Sequence, residues 1–233
     1  MRAALIANRE EADPGFVGKS LRARGYSFIE FLREDHKEWP TLDGIELVVA
    51  MGSGWSTYWD HVAEPVTAEQ ALLASAITRG IPILGICFGA QQLSVTLGGT
   101  VTKAQTTEIG WFSVENVPET RHLVPKSLTE GPWMQWHYDA FSVPAGATVL
   151  AQSPAGPQAM VCGRALGLQF HPEATESIVR GWSSGSGEDE LTTLGLSASE
   201  ILTATQTHLN DAARRCDELV DWYLSEVAQR HME

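Results

Sequence analysis

Residues 81–91, Ile81-Pro82-Ile83-Leu84-Gly85-Ile86-Cys87-Phe88-Gly89-Ala90-Gln91, join a short apolar run to a Gly-x-Cys-x-Gly turn and then to a helical pattern that continues to Leu97. A buried strand that reverses sharply into a helix holds the central side chain exposed, on a strained backbone, at the strand's carboxyl end. The flanking glycines remove the Cβ clashes of a tight reversal. The new helix aims unpaired amides and its positive dipole end at the sulfur. Both influences favour a thiolate, so Cys87 reads as a nucleophile; the competing reading is a small buried hydrophobe, the ordinary role of a free cysteine.

Working outward, strand-like runs at Ala3–Ala7, Ser27–Phe31, Leu47–Met51 and Ile81–Leu84 alternate with helical patterns at Phe16–Arg24, Ala68–Arg79 and Ala90–Leu97. That alternation predicts an α/β fold with a doubly wound, mostly parallel sheet. From Val101 to Phe170 the pattern changes to short strands punctuated by Gly and Pro, including 147–151, 159–162 and 165–170, which predicts an antiparallel extension. Residues 174–182 read as a helix. The carboxyl end returns to helix with Ser197 or Ser199 as N-cap and Cys216 on its apolar stripe, and Ser183–Glu190 reads as a mobile loop, a substrate lid being the sharper alternative.

A chain of 233 residues with 43% hydrophobic content fills one sizeable core, and we read residues 1–233 as a single domain. The net charge of -13 argues against a nucleic-acid or anionic-membrane surface. Cys87, Cys162 and Cys216 have no CxxC spacing, so neither a metal site nor a disulfide framework is expected; no cofactor is called for, and a reducing cytoplasm is the expected compartment. No apolar run approaches membrane-spanning length. Asp13-Pro-Gly-Phe-Val-Gly-Lys-Ser20 ends like a phosphate-binding loop, but Asp13 and Pro14 replace the amides and neutrality such a cradle needs.

A nucleophilic thiol needs a base and the base an orienting group. His171 in Leu168-Gln-Phe-His171-Pro172-Glu173 ends an apolar run at a proline, and Glu173 can fold back onto the imidazole to fix its tautomer. Together these two motifs closely resemble those of the class I, or triad, glutamine amidotransferases. Gly52-Ser-Gly-Trp-Ser56, Leu97-Gly-Gly-Thr-Val101, Glu108-Ile-Gly110 and Trp136-His-Tyr-Asp139 follow in that family's order, the last most like the glutaminase domain of GMP synthetase.

The resemblance implies a three-layer, flavodoxin-like sheet and a Cys87–His171–Glu173 triad acting on glutamine or another γ-glutamyl amide. It implies oxyanion donors from the backbone amides of Ser53 and Phe88, and substrate contacts from Gly52, Gln91, Tyr138 and Asp139. His137 and Glu108 are expected in structural roles, Glu108 solvated or salt-bridged. Trp55, Trp59, Trp111, Trp133 and Trp136 fall in segments placed near or around the cleft, where they either pack in the core, the favoured reading, or hold a larger substrate group or a partner. Gly54 stands where the family's Gly-Gly-Pro-type loop has proline; two readings stay open, a looser loop whose oxyanion site forms only when a partner docks, and harmless drift in a turn. Three functions remain open: a glutaminase supplying ammonia to a separate synthetase, a stand-alone γ-glutamyl hydrolase, and a non-catalytic binding module.

Overall fold

The computed structural model describes residues 1–230, so the last three residues of the expected 1–233 domain lie outside the described residues. Its first half runs β1 (Arg2–Ala7), α1 (Gly15–Ala23), β2 (Ser27–Leu32), β3 (Leu47–Ala50), α2 (Ala63–Thr78), β4 (Ile83–Ile86) and α3 (Phe88–Thr96). The second half runs β5 (Val101–Phe112), β6 (Glu115–Asn116), β7 (Trp133–Phe141), β8 (Thr148–Ser153), β9 (Gly156–Cys162), β10 (Ala165–Leu168), α4 (Glu176–Trp182), α5 (Ser186–Thr193) and α6 (Ala198–Trp222).

Eight strands form one sheet in the order β2-β1-β3-β4-β10-β9-β8-β6. The first five are parallel, and β9, β8 and β6 extend the sheet antiparallel. All four residues of β3 and of β4 are buried, as strands covered on both faces must be. One face packs Leu5, Leu47 and Leu84 against Val17 and Leu21 of α1 and Cys216 and Leu219 of α6. The other packs Ala4, Val48 and Ile83 against Leu73 of α2 and Leu93 of α3. The result is the expected three-layer α/β architecture.

Register brings the motifs together. Ala50 pairs with Gly85 and Leu168 with Ile86, so the segments starting at Met51, Cys87 and Gln169 leave the sheet side by side at its carboxyl edge. Ligands of doubly wound sheets bind at that edge, where the chain departs in opposite directions from a central strand such as β1.

Two expectations are corrected. Residues 101–112 form not a short strand but one of 12 residues, which pairs with β7 in a separate two-stranded sheet. All of its residues before Glu108 are exposed or half-buried, and the ladder to β7 holds it at Val101–Lys103 and again from Glu108 to Phe112, with an irregularity between. The expected mobile loop at 183–190 is largely helix: α5 starts after Gly185 at φ 58, carries Glu188 and Asp189 in its first turn, and buries Leu191. At α6, Ser197 is the cap, its hydroxyl accepting from the Glu200 N–H at 3.4 Å.

Candidate active site

Between β4 and α3, Cys87 adopts φ 48, ψ -107 and is the one non-glycine residue at positive φ among the described residues. Such backbone is kept only where its surroundings over-determine it. The Cys87 N–H donates to the Leu168 carbonyl at 2.7 Å, tying the turn to β10. Gly85 and Gly89 are required by contact: a Cβ at Gly85 would lie 2.7 Å from the Gly89 carbonyl oxygen, and one at Gly89 would run into the Ala50 carbonyl. Phe88 is the first residue of α3, where helix amides have no intrahelical acceptor.

His171 follows β10 and is bridged to β7, its N–H donating to the Met134 carbonyl at 2.8 Å. Its Nδ1 lies 2.7 Å from Glu173 Oε1, and both side chains are buried. With Nδ1 committed to the carboxylate, Nε2 is left buried without a hydrogen-bond partner among the described residues, available to Cys87. Burial alone would lower the imidazole pKa, but the Glu173 carboxylate and the Cys87 sulfur overcome it, so His171 is held well above its ordinary value. Trp182 meets the imidazole edge-on, with ring centroids 4.6 Å apart. The helix α1 docks directly behind Glu173: the Phe16 N–H donates to the Glu173 carbonyl at 3.0 Å, so the amide that a phosphate loop would offer is already used.

The loop after β3 lies opposite. A Cβ on Gly52 would sit 3.0 Å from His171 Cε1 and 3.6 Å from Cys87 Cβ, so only glycine lets this backbone approach both without displacement. The Gly54 N–H donates to Glu11 Oε1 at 3.1 Å and the Trp55 N–H to Ser53 Oγ at 3.1 Å. Burial pushes the Glu11 carboxyl up, against the opposing pull of Arg33, the Gly54 amide and His171.

Two cavities meet at Cys87. One, about 500 Å³, is lined by Glu10, Glu11, Asp13, Ser53, His171 and Trp182. The other, about 570 Å³, is lined by Trp55, Tyr58, Gln91, Trp136, Tyr138 and Asp139. In the second, the Asp139 carboxylate accepts from the Ser56 hydroxyl at 2.5 Å and the Tyr58 hydroxyl at 2.8 Å. Gln91 donates to the Asp139 carbonyl and to Gln169 Oε1, both at 3.4 Å, and Gln169 Nε2 reaches Cys87 Sγ at 3.5 Å. Burial and the Glu190 carboxylate push the Tyr138 phenol well above its ordinary value.

All nine sequence-derived site residues therefore gather at one sheet edge. His137 is buried, its Nε2 3.2 Å from Glu108 Oε2 and its Nδ1 3.1 Å from the Asp139 carbonyl. Glu108 also accepts from Ser153 and Gln158, each at 3.0 Å, so it is a buried network residue rather than a solvated one. Two of the tryptophans follow the packing reading. Trp133 is fully buried and stacked on Phe170, with centroids 4.9 Å apart. Trp111 donates to Thr205 on α6. Sequence reasoning missed Trp182, Glu11 and the buried Arg33–Glu69 pair; Arg33 opens the charged run Arg33-Glu-Asp-His-Lys-Glu38, and nothing local distinguishes the one side chain of that run that is buried.

Cys87 thus sits at a strand-to-helix elbow, at the same edge of a doubly wound sheet as the buried His171–Glu173 pair. The chain matches the family described as glutamine amidotransferase class-I over residues 48–179, more than half its length, and belongs to that family. It is 27% identical to a glutamine amidotransferase of Thermotoga maritima, with a TM-score of 0.81 over 98% of each chain. A glutamine amidotransferase of Methylobacillus flagellatus is 25% identical, with a TM-score of 0.79 over 100% of this chain and 96% of that one. Among curated relatives, a GMP synthase (glutamine-hydrolyzing) of Aeropyrum pernix is 32% identical over 74% of this chain and 33% of its own length. The chain spans about a third of the curated relatives it matches.

Proposed function

We propose that the chain is a cysteine-dependent glutaminase that releases ammonia for a separate acceptor enzyme. The observation that supports this most is the positive-φ Cys87 at the same sheet edge as the buried His171–Glu173 pair. The Cys87 thiolate attacks the γ-carbonyl carbon of glutamine, and charge develops on the carbonyl oxygen beside the Phe88 and Ser53 amides. The imidazolium of His171 protonates the departing nitrogen as the C–N bond breaks, leaving a glutamyl thioester and ammonia. His171 then takes a proton from water as the water attacks the thioester, and glutamate leaves the regenerated thiol. Glu173 stabilises the imidazolium at each stage.

The Asp139 carboxylate suits the α-ammonium of the substrate. Asp139→Asn is expected to raise KM for glutamine about tenfold or more while kcat changes little, since a charge-assisted hydrogen bond contributes roughly 1.5–3 kcal/mol. Steady-state kinetics of glutamate release check this.

A second reading has its own support. The cavity on the His171 side carries Glu10, Glu11 and Asp13, more room and more negative charge than departing ammonia requires. A γ-glutamyl conjugate of a larger, cationic amine fits it, which makes the chain a stand-alone γ-glutamyl hydrolase. Incubating the protein with glutamine and with γ-glutamyl amides of neutral and cationic amines separates the two. Glutamine turnover matching or exceeding the others is the expected result; turnover confined to a cationic conjugate establishes the second reading. Glutamate release from none of them removes both.

A further inference from the structure

We infer that Arg33 and Glu11 are positioning residues that hold the oxyanion loop in its working orientation within the isolated chain, without a docked partner. The inference rests on the enzymatic reading above.

Arg33 is fully buried at the end of β2. Its guanidinium faces Glu69 of α2, itself fully buried, through Nε to Oε2 at 2.7 Å and Nη2 to Oε1 at 3.1 Å. The remaining donors are spent on backbone: Nη2 to the Met51 carbonyl at 2.8 Å and Nη1 to the Gly52 carbonyl at 2.9 Å, with Asn8 Oδ1 at 2.9 Å. A planar fork with a fixed partner is the side chain that can hold two successive carbonyls at once.

In a trans peptide the N–H points opposite to the C=O. The chain has no cis bonds among its described residues, so with the Gly52 carbonyl turned to Arg33 the Ser53 N–H points the other way, and Ser53 lines the cavity it shares with Cys87. No acceptor among the described residues takes that N–H. A flip of the 52–53 peptide would exchange the positions of the carbonyl and the Ser53 N–H and lose the bond to Arg33. The guanidinium also lies over the Phe88 ring, 4.7 Å from its centroid, so one side chain braces both segments that carry the proposed oxyanion donors.

Glu11 acts from the other end. Its carboxylate takes the Gly54 N–H, a bond that proline at this position could not make. The freedom that glycine brings to the loop is thus removed by a side chain from the segment after β1, and Arg33 and Glu11 together fix the peptides on either side of Ser53.

The test uses the whole chain and two routes to the same loss. Arg33→Met combined with Glu69→Met removes the brace without stranding a buried charge, and Glu11→Ala leaves the buried pair intact should the first variant fail to fold. In each variant kcat on glutamine is expected to fall about tenfold to a hundredfold, with KM and the rate of Cys87 alkylation by iodoacetamide within about threefold of wild type, because alkylation develops no oxyanion. Exchange of the Gly54 amide is expected to accelerate in both. A kcat within about threefold of wild type in a folded variant overturns the inference, as does a parallel fall of kcat and alkylation, which marks general damage to the elbow. If wild type cleaves no γ-glutamyl amide, the enzymatic reading fails separately, and unchanged Gly54 exchange in the variants still refutes the brace.

Discussion

Substituting Cys87 with alanine or glycine is expected to lower kcat by roughly 10⁴- to 10⁶-fold, the scale on which loss of a nucleophile acts when its partners cannot substitute for it. The two variants are also expected to differ in stability in an unusual order. Within regular elements glycine is about 0.5–1 kcal/mol worse than alanine, because it loses more backbone freedom on folding. At φ 48, ψ -107 a Cβ is strained, and the cost of such a conformation, about 1–3 kcal/mol, falls on alanine but not on glycine. Cys87→Gly should therefore unfold at a higher temperature than Cys87→Ala. A thermal melt of both, beside glutamate release, decides the matter: appreciable turnover in either variant removes Cys87 as nucleophile, and an alanine variant the more stable of the two removes the strain.

That the elbow is visible in sequence at all follows from its being local. Gly85, Cys87 and Gly89 encode a turn that six or seven residues fully specify, and His171-Pro172-Glu173 encodes a strand end with its own orienting group two residues on. The parallel strands are legible for a related reason, since strands buried on both faces are nearly continuous in apolar residues. Where burial is partial the signal fades. The segment Lys103–Thr107 is too polar to announce a strand, and Ala104–Thr107 lie in the irregularity between the two stretches of β5 that pair with β7. Ser186–Thr193 buries a single large side chain, Leu191, so a helix there has almost no periodicity to read. Trp111 and Trp133 flank the same ladder as Trp136, yet strand alternation and twist send them to α6 and the core.

The support of the site is less legible than the site itself. Arg33, Glu69, Asn8 and Gly52 belong to four different segments, and nothing in the neighbourhood of any one of them predicts the others. The same holds for Glu11 and Gly54. A looser loop is one reading of Gly54 in place of proline; the Gly52 carbonyl and the Gly54 N–H are both taken by side chains from distant segments, contacts that no local reading of the loop contains.

Glu173→Gln isolates what the carboxylate does for the imidazole. Burial alone disfavours the imidazolium, so the raised pKa of His171 depends on the negative charges facing it, Glu173 foremost. Glutamine keeps the shape and an acceptor for Nδ1–H but removes the charge, so the pKa of His171 falls and the supply of imidazolium to protonate the departing nitrogen ends at lower pH. The expected result is a loss in kcat of about 10²- to 10⁴-fold, with the alkaline limb of the kcat profile displaced towards acid. Stability should follow the same ionisation. A folded-state pKa above that of the free imidazole means that the pair's contribution is fully present below about pH 6.5 and is lost as the pH rises through the folded value. Urea unfolding of wild type and variant should therefore show the larger gap near pH 6 and a smaller one once the pH exceeds the raised folded-state value of His171. An equal gap at both, with an unmoved alkaline limb, would mean that Glu173 orients the ring without setting its charge, and proton delivery to the leaving group would then have to be sought from another residue of the cleft.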